Sequence, residues 1–230
     1  MYKHLFFDLD RTLWDFEKNS HEVLCDLFVD FELQSKGIND SQLFIQTYKQ
    51  INEELWELYR QNMISKERLR DERFFQTLQH FSVFDQSLAS QMGSQYIALC
   101  PKKTHLFPFT HDVLSYLQKK YQLHIITNGF EEVQYIKLKS NNLLDYFNVI
   151  ITSEQAGCKK PNPEIFNYSF TKCRANPKDS LMIGDDLVAD IAGARQVGMN
   201  QVFFNPLSIS HSDTAITHEI SCLSQLSDLL

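Results

Sequence analysis

The sequence predicts an α/β protein with a parallel sheet that is covered by helices on both faces. A helical insertion follows the first strand of this sheet in the chain. Short apolar runs recur along the second half of the chain and helical segments separate them, an alternation typical of parallel sheets. Residues 16–100 show apolar stripes at helical spacing and no strand-like run. We therefore expect a sheet-containing core of residues 1–15 and 101–230, and a helical domain of residues 16–100.

The predicted strands are short apolar runs that end in polar or turn residues. The first is His4–Phe7, directly before Asp8, and four more are predicted at 123–126, 149–151, 181–183 and 201–204. Continuous apolar runs of this length are typical of strands that are buried on both faces.

Residues typical of helix ends indicate where the helices of the core lie. Thr110 is a candidate cap for the first of them, and Asn162 followed by Pro163 matches the cap and first residue of another. A third begins near Leu187 and ends near Gly198. In the helical domain, apolar residues recur at intervals of three and four, as at Phe44, Tyr48, Ile51, Leu55 and Leu58. Packing within a helical bundle explains most of these side chains.

Composition and charge restrict the classes of function. The 230 residues carry a formal net charge of −7, which argues against a nucleic-acid polymer as partner, because such proteins usually present a basic face. The five cysteines include no C-x-x-C pair, so neither a disulfide framework nor a zinc site is expected. Acidic residues interrupt the amino-terminal region before a signal sequence forms, and no apolar run reaches membrane-spanning length. We expect a cytoplasmic protein without membrane association.

Four polar groups follow predicted strands, and open α/β sheets bind ligands at the carboxyl ends of their strands. The first group is the segment D-L-D-R-T, in which Asp8 and Asp10 can point to one side as extended residues at positions i and i+2. Neighbouring carboxylates repel each other, and a cation between them offsets that repulsion. Alone, the pair also fits a solvated turn with an aspartate helix cap.

The second and third groups suit an anion. The segment Thr127-Asn128-Gly129 offers a hydroxyl and backbone amides to a phosphate oxygen, although the same residues form ordinary turns. Lys160 lies on a loop stiffened by Pro161, where a held cation can neutralise a phosphoryl group. A lysine on a surface loop is the alternative.

The fourth group consists of Gly184, Asp185 and Asp186, with Asp190 shortly after them. Carboxylate oxygens are ligands that suit Mg²⁺, a hard cation. The alternative is a helix start that is rich in aspartate because the helix dipole favours negative charge there.

In this order, the four groups resemble the four motifs of the haloacid dehalogenase-like (HAD) hydrolases. The resemblance implies a Rossmann-like parallel-sheet core with an inserted α-helical cap domain, the position that the helical segment occupies here. It also implies phosphoryl transfer through an aspartyl-phosphate, with Mg²⁺ as the cofactor.

The resemblance further implies a role for each motif residue. Asp8 is the implied nucleophile and Asp10 the general acid and base, while Thr127 and Lys160 bind and neutralise the transferring phosphoryl group. The implied metal ligands are Asp8, the backbone carbonyl of Asp10, and Asp185. Three more residues are implied to contact the substrate: Thr12, Asn128 and Gly129.

Two positions depart from the usual motif pattern. Arg11 fills a slot that is often small or acidic, and Asp186 stands where many relatives carry serine or threonine. Asp186 and Asp190 are expected to support the metal and its surroundings, and the division of ligands between Asp185 and Asp186 stays open.

The segments 52–59, 72–74, 126–130 and 144–147 carry a finer resemblance, to the pyrimidine 5′-nucleotidase branch of the family. This resemblance implies nucleoside 5′-monophosphates as substrates, with pyrimidines favoured. Trp56 and Arg73 of the cap are candidates for binding the base, and Tyr59 and Phe74 are further flat surfaces. Packing within the cap is the alternative role for each.

The leading hypothesis is an enzyme that hydrolyses a small-molecule phosphate ester, as a monomer or small homo-oligomer. Asp10 favours phosphate chemistry, because relatives that dehalogenate carbon lack this second aspartate. A sugar-phosphate phosphatase or a phosphomutase of the same family is an alternative. A non-catalytic binding protein with this fold is another, and the complete set of motif residues argues against it.

Overall fold

The computed structural model describes residues 1–230, and its strands form one six-stranded parallel sheet. The strands are β1 (His4–Phe7), β2 (Gln122–Thr127), β3 (Val149–Thr152), β4 (Ser180–Gly184), β5 (Asn200–Phe204) and β6 (His218–Ile220). Their order across the sheet is β3-β2-β1-β4-β5-β6, and every neighbouring pair is parallel. The predicted α/β class with a parallel sheet is confirmed, and all five predicted strands are present.

Strand β6 was not predicted. It has only three residues, of which Ile220 alone is both apolar and buried. A three-residue segment with one apolar side chain lacks the periodic signal from which strands are recognised.

Helices separate the strands of the sheet-containing unit. They are α5 (Thr110–Leu117), α6 (Glu131–Ser140), α7 (Ser153–Ala156), α8 (Pro163–Cys173), α9 (Gly193–Gln196) and α10 (Leu226–Leu229), with a π-helical turn at Leu187–Ala192 that leads into α9. The prediction of a helix starting near Leu187 is correct in position, but its first turns are π-helical.

The two predicted helix caps have different outcomes. Asn162 caps α8 as expected, since its side chain accepts a hydrogen bond from the backbone N–H of Glu164. The predicted cap at Thr110 is wrong. Phe109 occupies the cap position with a left-handed φ of 67°, and the Thr110 hydroxyl instead donates to the backbone carbonyl of Phe107 at 2.7 Å.

The core on one face of the sheet is formed by four adjacent strands and α8. Ring and aliphatic side chains from β1, β2, β3 and β4 pack against α8 in one buried cluster, which includes Phe6, Ile126, Ile151, Met182, Ile165 and Phe166. This packing holds the neighbouring strands in register, so the residues that follow them are held close to one another.

Residues Glu17–Lys103 form a second compact unit, while Met1–Phe16 and Thr104–Leu230 form the first. The helices beyond the first unit are α1 (Phe16–Asp30), α2 (Ser41–Arg60), α3 (Lys66–His80) and α4 (Gln86–Leu99). Inside the helical unit, the ring of Tyr48 packs against those of Phe74 and Tyr96, with centroids 4.7 and 5.5 Å away. No helix in the structure has the length and apolar character required to cross a bilayer.

Candidate active site

Three of the four polar groups lie directly at the carboxyl ends of the central strands. Asp8 follows β1, Thr127 ends β2, and Asp185 follows β4. Strand β1 is hydrogen-bonded to β2 on one side and to β4 on the other. These residues therefore lie at the topological switch point of the sheet, where the strand order reverses. The backbone N–H of Asp8 continues the ladder, donating to the carbonyl of Ile183 at 2.9 Å.

Lys160 supplies the positive charge of the site. Its Nζ atom lies 2.6 Å from Oδ1 of Asp8, 2.6 Å from Oδ1 of Asp190 and 2.8 Å from the carbonyl oxygen of Ile126. The lysine is only 2% exposed. A buried ammonium is tolerated because each of its three donors has an acceptor, two of them charged.

Asn128 holds the loop that carries Lys160. Its side-chain amide donates to the carbonyl of Lys160 at 2.9 Å and accepts from the N–H of the same residue at 2.8 Å. The peptide bond between Lys160 and Pro161 is cis. Asn128 therefore fixes the backbone of Lys160, and the substrate contact expected from the sequence stays a prediction.

Thr12 and Gly129 are likewise turned towards the protein. The hydroxyl of Thr12, which is fully buried, donates to Oδ1 of Asp185 at 3.0 Å. The N–H of Gly129 donates to the hydroxyl oxygen of Thr127 at 3.0 Å. These hydrogen bonds orient Asp185 and Thr127, and the substrate contacts expected of Thr12 and Gly129 stay predictions.

Three carboxylates form an acidic cluster beside Lys160. One oxygen each of Asp8, Asp185 and Asp190 lies within 4.8 Å of the others. The side chain of Asp190 packs directly against Gly184 at the end of β4. A Cβ atom on residue 184 would lie 2.3 Å from Oδ2 of Asp190, which is too close for a side chain. Glycine at 184 is therefore required for the cluster to form.

Burial and mutual repulsion alter the protonation of this cluster. Burial raises the pKa of Asp8 to about 7 against the opposing charge of Lys160. Burial, followed by the charges of Asp8 and Asp190, raises the pKa of Asp185 well above its usual range, and burial also raises the pKa of Asp190. Burial acts to lower the pKa of Lys160, but Asp190 and Asp8 outweigh it and raise the pKa. Carboxylates that burial and repulsion destabilise in their charged form suit a hard divalent cation.

Asp186 is not one of the three clustered carboxylates. Its Oδ1 atom accepts hydrogen bonds from the backbone N–H groups of Val188 and Ala189, each at 2.8 Å, and so caps the π-helical turn. Its own N–H donates to Oδ2 of Asp190 at 3.1 Å. Of the two adjacent aspartates, Asp185 therefore contributes its side chain to the cluster and Asp186 caps the turn; support of the metal by Asp186 stays a prediction.

Two residues of α6 join the site although the sequence analysis did not select them. Gln134 donates to Oδ2 of Asp10 at 2.9 Å, and Lys137 lies 2.5 Å from Oδ1 of the same carboxylate. Both are buried. One sequence signal could have indicated them. Gln134, Lys137 and Asn141 are polar residues spaced by three and four positions, so they share one face of the helix that follows the second motif.

The candidate base-binding residues of the helical unit differ in their exposure to solvent. Trp56 is partly exposed and meets the ring of Tyr59 edge-on at 5.5 Å. Phe74 is fully buried. Arg73 is 5% exposed, with Nη1 3.4 Å from Oδ1 of Asn52 and its guanidinium 5.0 Å from the centroid of the Tyr96 ring. Arg73 thus packs inside the helical unit, and its binding of substrate stays a prediction.

Comparison with known families supports the motif assignment. Residues 2–198 match the model of the haloacid dehalogenase-like hydrolases. The chain belongs to the haloacid dehalogenase-like hydrolases. Among relatives of this HAD hydrolase, the pyrimidine 5′-nucleotidase PynA of Streptococcus pneumoniae is 32% identical over all of this chain and 95% of its own length. The pyrimidine 5′-nucleotidase YjjG of Escherichia coli is 29% identical, covering 98% of this chain and 96% of its own length.

A solved structure shares both the fold and the length of this HAD hydrolase. The HAD-hydrolase YfnB of Bacillus subtilis, in a crystal form bound to magnesium, superposes with a TM-score of 0.89 at 29% identity, covering 100% of this chain and 98% of the other. The similarity extends over the sheet-containing unit and the helical insertion.

Proposed function

We propose that this HAD hydrolase is a phosphomonoesterase in which Asp8 takes the phosphoryl group from the substrate. The observation that carries the proposal is the pairing of Asp8 with the buried Lys160 at the carboxyl end of the central strand, with the second carboxylate of Asp10 on the same loop. A carboxylate is a competent nucleophile towards phosphorus, and an adjacent fixed cation stabilises the charge of the transition state.

The side chains divide the reaction between them. An oxygen of Asp8 forms a bond to phosphorus as the bond from phosphorus to the leaving oxygen breaks, giving an aspartyl-phosphate. Asp10 gives a proton to the leaving oxygen and then accepts one from the water that hydrolyses the intermediate. Lys160 neutralises charge on Asp8 and on the phosphoryl oxygens, and Thr127 donates its hydroxyl proton to one of them.

Asp8 and Asp185, with the backbone carbonyl of Asp10, are the residues proposed to hold Mg²⁺, and Asp190 lies beside them. The fit rests on the clustered carboxylates, whose raised pKa values reflect burial and repulsion. When bound, the metal supplies positive charge that offsets the repulsion between these carboxylates and the phosphate.

The proposed substrates are nucleoside 5′-monophosphates, with pyrimidine nucleotides favoured. Two relatives that match nearly the full length of the chain are pyrimidine 5′-nucleotidases, which supports this choice. The core motifs handle the phosphoryl group that all such esters share. We therefore propose that residues of the helical unit, with Trp56 the first candidate, select the leaving group, and that this unit acts as the cap domain.

Hydrolysis of a panel of esters tests the proposal. The panel contains uridine, thymidine and adenosine 5′-monophosphates, a hexose phosphate and p-nitrophenyl phosphate, each with and without Mg²⁺. We expect Mg²⁺-dependent phosphate release, fastest from the pyrimidine nucleotides. The matched control is Asp8→Asn, which should lose at least about 10³-fold in turnover while staying folded, because an amide is a poor nucleophile. Wild-type turnover by this variant would remove Asp8 from the mechanism.

A further inference from the structure

Two buried side chains of α6, Gln134 and Lys137, contact the proposed catalytic residues without having a step of their own. Gln134 is fully buried and Lys137 is 6% exposed. They stand at positions i and i+3, so both project from one face of the helix. Burying an ammonium or an amide N–H is costly unless it finds strong acceptors, and Lys137 Nζ and Gln134 Nε2 both find them in the site.

The first shared partner is Asp10, whose two carboxylate oxygens are held separately. Lys137 Nζ lies 2.5 Å from Oδ1, and Gln134 Nε2 lies 2.9 Å from Oδ2. The ammonium of Lys137 also lies 4.4 Å from the centroid of the buried ring of Trp14. Because both donors come from one rigid helix, the carboxylate loses a hydrogen bond if it rotates.

The second partner is the hydroxyl of Thr127. Its oxygen accepts a hydrogen bond from Gln134 Nε2 at 2.6 Å and another from the backbone N–H of Gly129 at 3.0 Å. A hydroxyl has two acceptor positions and one proton. With both acceptor positions occupied, the proton of Thr127 is left to be donated elsewhere, as binding of a phosphoryl oxygen requires.

Gly129 makes room for this arrangement. A Cβ atom at position 129 would lie 2.3 Å from Nε2 of Gln134 and 2.5 Å from its Cδ atom. Any larger residue at 129 would displace the amide that joins Asp10 to Thr127.

We propose that Gln134 and Lys137 are positioning residues of the reaction, which aim the carboxyl group of Asp10 at the leaving oxygen and turn the hydroxyl proton of Thr127 towards the phosphoryl group. The inference rests on the proposed phosphatase function. In the step concerned, the bond from Asp8 to phosphorus forms, the bond from phosphorus to the leaving oxygen breaks, and the proton of Asp10 passes to that oxygen.

The leaving group distinguishes positioning from a merely structural role. A nucleoside leaves as an alcohol and needs the proton of Asp10, whereas p-nitrophenolate leaves readily as an anion. The test measures kcat/KM, which reports the first phosphoryl transfer, for uridine 5′-monophosphate and for p-nitrophenyl phosphate in Lys137→Met and Gln134→Met. We expect the ratio of the two values to fall by about 10–100-fold, a part of the usual effect of general acid catalysis.

Two further variants make the test specific. Lys139→Met removes the same charge from an exposed position of the same helix, and its ratio should equal that of the wild type. Gly129→Ala should lower the ratio as Gln134→Met does, since it displaces the same amide without removing a polar side chain. This variant also serves if Lys137→Met does not fold, as judged by thermal unfolding.

The outcomes separate the inference from the proposed function. Equal losses for both esters, an unchanged ratio, or the same shift in Lys139→Met would overturn the positioning role while leaving the phosphatase in place. A wild-type protein that hydrolyses neither ester would overturn the proposed function, and this inference with it, before any variant is measured.

Discussion

The Nζ atom of Lys160 lies 2.6 Å from Oδ1 of Asp8, although 152 residues separate them along the chain. This contact joins the third motif to the first and places a buried cation against the proposed nucleophile. The same ammonium also contacts Asp190, so it compensates two of the three carboxylates of the acidic cluster.

Removal of this charge should abolish most activity. We expect Lys160→Met to lower kcat/KM by at least about 100-fold, because charge on Asp8 and on the phosphoryl oxygens is no longer neutralised. Lys159→Met is the matched control, since it removes the neighbouring, less buried lysine and should retain most activity. Steady-state kinetics on one ester, with circular dichroism to verify folding, would decide it. Similar losses in the two variants would contradict the role of Lys160.

Metal binding should strengthen as pH rises. The pKa of Asp8 is raised to about 7, and those of Asp185 and Asp190 are also raised, so below that pH protons compete with the cation. We expect the affinity for Mg²⁺ to increase about fivefold from pH 6 to pH 7 if one proton is displaced from Asp8, and to level off above. Calorimetric titrations in two buffers of different ionisation enthalpy would measure both affinity and proton release. An affinity independent of pH would contradict the assignment.

The two adjacent aspartates should behave differently. Asp185→Asn should lose the rise in melting temperature that Mg²⁺ produces, because it removes a carboxylate of the cluster. Asp186→Asn should keep that rise, since Asp186 caps the π-helical turn and asparagine also caps well. Asp186→Ala should cost about 1 kcal/mol of stability with metal binding retained. Thermal unfolding with and without Mg²⁺ tests all three, and loss of the metal effect in Asp186→Asn would reverse the assignment.

Two buried histidines should make stability depend on pH. Nδ1 of His4 lies 3.1 Å from Nε2 of His124, and burial lowers the pKa of His124 from 6.5 to about 4. The unfolded chain therefore takes up a proton below pH 6.5 that the folded protein does not, so stability falls as pH decreases from 6.5 towards 4, by up to about 3 kcal/mol.

Substitution isolates this contribution. The difference in unfolding free energy between wild type and His124→Leu should be constant above pH 6.5 and should change steadily below it, in favour of the variant. Urea titrations at several pH values would measure the difference. His80→Gln, at an exposed position, is the control. Parallel curves for wild type and His124→Leu would show that His124 is not responsible.

Substitutions of Trp56 and Phe74 in the helical unit should have different effects, the first on substrate preference and the second on stability. We expect Trp56→Ala to change the ratio of kcat/KM for uridine 5′-monophosphate to that for p-nitrophenyl phosphate, because Trp56 is partly exposed. Phe74→Ala should leave the ratio unchanged and cost about 3–5 kcal/mol of stability, as loss of a buried ring does. Kinetics and urea unfolding on both variants test this. An unchanged ratio in Trp56→Ala would make that side chain structural.

Local sequence signals predicted the sheet and the order of the motifs. Each of the five predicted strands is a short, mostly apolar run, and Asp8, Thr127 and Asp185 lie at the ends of such runs, so position along the chain was sufficient to find them. The cap of α8 was predicted for the same reason, since Asn162 and Pro163 are adjacent to the helix that they start.

The contacts between distant segments required the folded structure. Gln134 and Lys137 reach Asp10 across 124 and 127 residues, and no periodicity in the sequence relates such positions. The sequence likewise did not distinguish Asp185 from Asp186, because both follow the same strand. Only the contacts of each side chain show that Asp185 belongs to the acidic cluster and that Asp186 caps the following turn. Arg73 looked available in a polar helix, yet packing around Tyr96 buries it. Strand identity depends on neighbours along the chain, whereas the partners of a buried polar group depend on which segments the sheet and its helices bring together.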